Sequence, residues 1–449
     1  RIEAHADALL WGDDRLAWWA ACGRSRRAAT WRQVGWAVLV LLVLGATALG
    51  ITRAVERRAA RLAVLEQISR GAPEVAAAAL WGALDGAAPG DREDLLEALG
   101  ARENSLELFE VGLGGLPADR RGEAVLALGE LALPLVHVEA PESPEPEPEP
   151  AAEAAGARKK TSGEAEAERG ITYRLASLLW SVDHSVYPES ALRDRGRDLR
   201  RRALAPLWQR RPPPDPESLA WVELPGGTYI SGEGLEPEAD PERPGEMLAP
   251  KPVTVSPFAM LAHETTGRDF RRLFPDHPGS RGDDELPAVR LNWFEAVVYA
   301  AWVGGPDAWT RLPTQAEWEY AVRAGCEVTY CVAGGEPAEI GDVAWYRGNS
   351  ANAQGKNRRW PVMGKAANPS VLFDLFGNVW EWHMDWAGPY PPSADVDPLG
   401  PTRAEPRYRF FGGGGSFMGP EWLRPGVNGA TAPERDGKTL GLRPVRLYD

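Results

Sequence analysis

From Gln33 to Thr52 the chain reads QVGWAVLVLLVLGATALGIT, twenty residues without a charge. A run of that length and composition spans the hydrocarbon core of a bilayer as one helix, so the sequence predicts a transmembrane helix over 33–52. A buried core helix would carry a polar face, which this run lacks. A signal peptide has a shorter apolar region close to the chain start, whereas this run begins more than thirty residues in. Residues 1–32 then form a juxtamembrane segment. Arg24, Arg26, Arg27 and Arg32 precede the span and Arg53, Arg57, Arg58 and Arg61 follow it. The positive-inside count is balanced, and only Glu56, which interrupts the trailing cluster, tips the expected topology. The expectation is a single-pass membrane protein with its C-terminal part outside the cytoplasm.

Residues 53–138 are rich in Ala and Leu, and their apolar residues recur at helical spacing: Leu62, Leu65 and Ile68, Leu95, Leu96 and Leu99, and Val125, Leu126 and Leu128. Breaks at Gly86–Gly90 and Gly112–Pro117 predict helical hairpins, a stalk or packing module with no catalytic constellation. Composition then changes. Between Glu139 and Arg169 nine acids face four bases and almost no large apolar residue occurs. Such a stretch cannot bury enough surface to offset its ordering entropy, so 139–170 is expected to be a disordered Pro/Glu-rich linker. Residues 171–217 read as a helical connector ending in RRPPPDPE. The net charge of -14 excludes a nucleic-acid partner, which would need a basic stripe.

From Ser218 onward Trp, Gly and Pro become frequent and helices become short. Asn292 with Glu295 is a capping pair for NWFEAVVYAAWVGG, whose apolar stripe is Trp293, Ala296, Val297 and Ala300. Thr314 with Glu317 caps LPTQAEWEYAVRAG, with Trp318, Ala321 and Val322 facing inward and Gly325 as the stop. The texture predicts an irregular α+β domain over 218–449.

The order of segments says more. VELPGGTYISG, VTVSPFAMLAHETTGRDFRRL, PAVRLNWFEAVVYAAWVG, RLPTQAEWEYAVRAG, FDLFGNVWEWHMDW, FGGGGSF and LGLRPVR follow one another. Together they resemble the formylglycine-generating enzyme, or sulfatase-modifying factor, family over residues 218–449. RLPTQAEWEYA and GNVWEW are the most specific. The resemblance implies a C-type-lectin-like α+β fold with little regular secondary structure.

Fold does not settle activity. The family's oxidising members place two cysteines just after GGS, five positions apart, to bind copper and convert a substrate cysteine to formylglycine. Here GGS is Gly414, Gly415 and Ser416, and the matching positions are Gly419 and Arg424. Glycine has no side chain and arginine carries a permanent positive charge, so neither replaces a thiolate on a copper cation. The remaining cysteines are Cys22 and the pair in CEVTYC, Cys326 and Cys331. That pair has the right spacing but lies nearly ninety residues before GGS. It reads as a local disulfide or as two unrelated thiols, with nothing to place it in the substrate groove.

Another branch of the fold uses histidine-held iron. The six histidines, His5, His137, His184, His263, His277 and His383, are scattered and supply no two-His-one-carboxylate face. His383 reads as a packed, hydrogen-bonded residue. The resemblance implies calcium at Asn378, the Val379 carbonyl and Glu381, hard oxygen ligands in GNVWEW. The competing reading is that Asn378 and Glu381 satisfy backbone around buried Trp380 and Trp382. The loop 349–365 lacks an acid for the family's other calcium site.

After GGS, Ser416, Pro433, Gly441 and Arg443 keep the family framework, but the arginines expected between Gly426 and Ala430 are missing. Candidate groove residues are Ser416, Gly419, Glu421, Trp422, Arg424, Asn428 and Arg443. Trp422 reads equally as packing, and Arg424 as a solvated charge. Two functions fit: a membrane-anchored, non-oxidising ligand-binding or sensory module for a protein, peptide or glycan, and an oxidase or other enzyme working through unfamiliar residues of the same groove.

Overall fold

The computed structural model describes residues 51–84, 118–136, 162–186, 190–232 and 250–448, apart from 281, 283, 391–394, 402, 403 and 405, with a few isolated positions before residue 118. The chain divides into two compact units, residues 1–66 and 67–449. In the first, residues 51–66 are helical. The juxtamembrane segment 1–32, Cys22 and most of the expected span 33–52 lie outside the described residues. Among the described residues no helix is long and apolar enough to cross a membrane.

The second unit opens with four helices: α1 (Pro73–Leu84), α2 (Ala118–Val136), α3 (Ser162–Val186) and α4 (Ser190–Arg210). Helix α3 begins inside the segment assigned to the disordered linker. Its start, SGEAEAERG, is mostly Ala and Glu, and no proline follows Pro150 until Pro188, so nothing stops a helix from running back to Ser162. Residues 139–161 lie outside the described residues.

Helices α3 and α4 do more than connect. Helix α2 packs on both, and α3 lies along α6 (Trp293–Trp302) of the C-terminal part. Ala176, Leu179, Trp180 and Val182 on α3 are completely buried, and Tyr173 meets Phe294 at a ring separation of 4.3 Å. Trp208 of α4 donates to the Trp302 carbonyl (2.9 Å), and Trp302 donates in turn to that of Arg211 (2.7 Å). Losing a buried Trp such as Trp180 costs about 3–5 kcal/mol in comparable cores. The packed unit therefore reaches back past the boundary at residue 218 drawn from composition.

The C-terminal part is α+β with short elements. One antiparallel sheet has the order β1–β4–β12–β5, formed by β1 (Trp221–Leu224), β4 (Phe258–Leu261), β12 (Val445–Leu447) and β5 (Trp309–Arg311). The last strand thus lies in the middle of the sheet and closes the domain. A second sheet, β10–β9–β8–β11, joins β10 (Asn428–Thr431), β9 (Arg409–Gly412), β8 (Trp380–Trp386) and β11 (Leu440–Gly441), with an irregularity in β8 between Trp382 and Trp386. Two strand pairs, β2 (Gly227–Ser231) with β3 (Lys251–Val255) and β6 (Ala344–Trp345) with β7 (Phe376–Gly377), complete the strands. The remaining helices are α5 (Gly267–Leu273), α7 (Gln315–Arg323) and α8 (Ile340–Val343).

Both capping boxes form as the sequence requires. The Asn292 side chain accepts from the Glu295 backbone and Glu295 returns to the Asn292 backbone; Thr314 and Glu317 do the same at α7. Helix α7 stops where Ala324 (φ 47°) and Gly325 (φ 73°) turn left-handed. Helix α6 departs from the single apolar stripe expected of it. Every residue except Glu295 is buried, Phe294, Val298 and Ala301 included, because α3 covers the face that would otherwise meet solvent.

Candidate functional site

Strand β8, WEWHMDW, is buried along its whole length, so each polar side chain on it must find a partner inside the protein. Glu381 does. Arg443 Nη2 donates to it at 2.8 Å and Nε at 3.0 and 3.1 Å, and Trp318 Nε1 donates at 2.9 Å. Arg443 reaches on to the carbonyls of Leu261 (2.9 Å) and Phe373 (2.8 Å), tying β4, β8 and the loop before β7 together. Arg443 is thus a framework residue with no exposed surface. His383 is packed 5.4 Å from the Trp318 ring, yet neither ring nitrogen has a hydrogen-bond partner, contrary to the sequence expectation. Burial holds it down to about 3, so the ring is neutral.

The chain enters GNVWEW through Asn378, in the left-handed region at φ 54°. Its Oδ1 accepts from Trp360 N (2.8 Å), and its Nδ2 donates to Glu264 (2.7 Å) and the Trp360 carbonyl (3.1 Å). Val379 N donates to the other Glu264 oxygen (2.9 Å). Burial holds Glu264 well above the usual carboxylate range, Asp374 and Glu381 add to the rise, and Arg443 opposes it. The calcium ligands expected here do not fit a cation as they stand. Asn378 Oδ1 already serves a backbone N–H, Glu381 serves Arg443 and Trp318, and the positive charge this acidic pocket requires is the Arg443 guanidinium. The uncommitted oxygen is Oδ1 of Asp374, four residues before Asn378 and unmarked by the motif. Among the described residues no group of three or more His, Cys, Asp or Glu side chains is arranged to hold a metal.

The glycine loop leaves β9 directly. At Gly412 a Cβ would stand 2.9 Å from His383 Cε1, and Gly414 (φ 78°) lies against Leu423; only glycine allows both. Ser416 then docks on GNVWEW. Its N–H donates to the Asn378 carbonyl (2.9 Å) and its carbonyl accepts from Ser350 Oγ (2.6 Å), while its own Oγ is buried without a partner. Asn428, in β10, is also buried; its Nδ2 donates to the Gly426 carbonyl and its Oδ1 has no partner.

A short turn, Pro420–Trp422, carries the groove residues between Gly419 and Arg424. Trp422 stands edge-on to Trp380 at 6.1 Å, so it serves as packing on its inner side. Glu421 is exposed and pairs loosely with Arg347 (3.9 Å). Arg424 Nε approaches the Glu421 carbonyl at 3.4 Å. Its charge also reaches Tyr330, whose hydroxyl burial pushes up to about 12 against the pull of Arg424. Cys326 and Cys331 are joined in a disulfide. Nothing in the sequence placed the CEVTYC loop in the groove; its Tyr330 ring stands edge-on to Phe376 at 5.0 Å. Arg347 and exposed Phe417 were not legible in the sequence; only Phe417, next to GGS, carried a positional hint.

Sequence order, short capped helices and a glycine loop over a Trp-lined strand define a small α+β domain. Residues 209–448 match the sulfatase-modifying factor enzyme 1-like domain family, and the chain belongs to it. A formylglycine-generating enzyme of Mycobacterium tuberculosis is 31% identical over 253 residues, 48% of this chain and 82% of that protein. One from Thermomonospora curvata is 34% identical over 157 residues, 32% of this chain; this chain spans only 49% of that relative's length. A mouse relative named inactive C-alpha-formylglycine-generating enzyme 2 is 28% identical over 219 residues, 36% of this chain and 68% of the relative.

Proposed function

We propose that the chain is a membrane-anchored, non-oxidising member of its family whose glycine-loop groove binds a protein, peptide or glycan outside the cytoplasm. One observation carries the reading. The positions that hold thiolates in oxidising members are Gly419 and Arg424, and Cys326 and Cys331 are bonded to each other. A disulfide offers no thiolate, and a guanidinium repels a copper cation. The rim combines exposed Phe417, half-buried Trp422 and the Arg347 and Glu421 charges, a mixture of aromatic and charged groups that suits recognition. The exposed apolar side chains of Trp36, Leu39, Leu42 and Ile51 support the anchor.

The second reading, an oxidase, is favoured by the relatives named as formylglycine-generating enzymes. The experiment that separates the two supplies the full chain, in detergent, with copper, oxygen and a peptide of the pattern Cys-x-Pro-x-Arg. Mass spectrometry follows the peptide cysteine. No aldehyde above the copper-only control is expected; several turnovers per protein would establish the oxidase.

A further inference from the structure

Away from the glycine loop, a cavity of ≈ 340 Å³ opens between the lead into β1, the residues after β4, helix α5 and helix α6. None of its lining residues belongs to the groove. Its charges alternate in sign. Arg268 pairs with Glu285 at 2.7 Å, both about half exposed, and Arg272 stands 3.8 Å from Asp269, too far for a hydrogen bond. Asp269 accepts from the Thr266 hydroxyl at 2.6 Å. Cations and anions balance, so the cavity favours a ligand of no net charge that carries both signs.

Deeper in, the polar groups are unspent. Thr265 is 2% exposed and its Oγ1 has no hydrogen-bond partner. A ligand atom would supply the hydrogen-bond partner that this buried hydroxyl lacks. His263 Nδ1 lies 2.7 Å from the Glu264 carbonyl. A carbonyl only accepts, so Nδ1 carries the proton and Nε2 presents a lone pair. Tyr299 also lines the cavity, within reach of the Asp269 and Arg272 charges. The apolar part of the wall is Leu219, Leu261 and Met363. Met363 is exposed and held at φ 58°, where its N–H donates to Asp374 Oδ2 at 2.7 Å.

We propose that this cavity is a second binding site, which takes a free aliphatic α-amino acid. The carboxylate meets Arg272, the ammonium group meets Asp269 and the His263 Nε2 lone pair, and Thr265 supplies a further hydrogen bond. The side chain rests on Leu219, Leu261 and Met363. The site is independent of the groove and does not rest on the groove's function.

The test is calorimetric titration of the full chain in detergent with L-leucine, leucinamide and N-acetyl-leucine. The amide lacks the carboxylate and the acetyl form lacks the ammonium group. Saturable binding of L-leucine is expected, with both derivatives weaker by about tenfold or more. Thr265→Val, isosteric and still folded by its melting temperature, should weaken binding about fivefold, and Arg272→Gln by about tenfold. No saturable heat up to about 10 mM L-leucine overturns the proposal. So does equal binding of either derivative, or binding untouched by both substitutions.

Discussion

Arg200 of α4 grips Asp183 of α3 through two hydrogen bonds of 2.8 and 2.9 Å, and its other terminal nitrogen donates to the Thr310 carbonyl in β5 at 2.7 Å. Trp309 Nε1 completes the Asp183 shell at 2.6 Å. Both charged side chains are almost wholly buried. The helices are thereby fastened to the edge of the first sheet by a desolvated ion pair in which every member has a partner.

Breaking this pair leaves one buried charge uncompensated. Asp183→Ala or Arg200→Ala should cost about 3–5 kcal/mol in urea unfolding followed by Trp fluorescence. A fragment of residues 162–449 should unfold cooperatively, whereas 218–449, without α3 and α4, should be far less stable or aggregate. Equal midpoints for the two fragments would contradict the role given to the helices.

Arg443 is the countercharge for a buried acidic trio. Arg443→Met removes it and leaves Glu381, Glu264 and Asp374 facing one another. The variant should be strongly destabilised near neutral pH. It should regain part of the loss as pH falls, because protonation then discharges carboxylates already held high: Asp374, raised by burial to about 6, and Glu264, higher than usual for the same first reason. A stability gap between wild type and variant that does not narrow on acidification would refute this.

Asp385 accepts from Gln315 N at 2.7 Å with one oxygen, while the other has no partner. Burial pushes its carboxyl up to about 7, against the pull of the Gln315 hydrogen bond. The folded state therefore binds this proton more tightly than the unfolded chain. The stability it contributes is fully present below the unfolded value of 3.8 and is lost as pH rises to about 7. His383, held at about 3, and His184, held by burial at about 4, act in the opposite sense, losing stability as pH falls below 6.5. The wild-type slope is thus partly cancelled, and the diagnostic quantity is a difference. Asp385→Asn should gain relative to wild type as pH rises toward 8, by an amount on the order of 2–4 kcal/mol. Melting curves across that range decide it.

The Cys326–Cys331 bond closes a very short loop, so its stabilisation is modest, about 2 kcal/mol. Reduction, or replacement of both residues by Ser, should lower the melting temperature by a few degrees and leave the fold intact. Neither treatment should confer copper-dependent oxidation on the peptide, since the freed thiols do not stand at Gly419 and Arg424.

The parts of the fold legible in advance were those written in local chemistry. Asn292 and Glu295, or Thr314 and Glu317, meet because a helix start brings residues three apart together whatever surrounds them. The site was less legible. The motif puts Asn378 and Glu381 among buried tryptophans, but which atoms satisfy them depends on Glu264 and Arg443, distant in sequence. His383 was expected to be hydrogen-bonded, and its nitrogens are unpaired because the neighbours that enclose it are Trp318 and the glycine loop, which offer it no partner.

By itself the sequence determined the family and the absence of thiols after GGS, because ordered motifs and side-chain identity survive any folding. Tertiary structure alone decided that Cys326 and Cys331 are bonded and that Tyr330 between them packs edge-on to Phe376. It also decided that α3 and α4 complete the domain core, and that Arg443 occupies the charge balance expected of a metal. These depend on contacts between residues far apart in the chain, whose partners are set by burial and shape rather than by spacing.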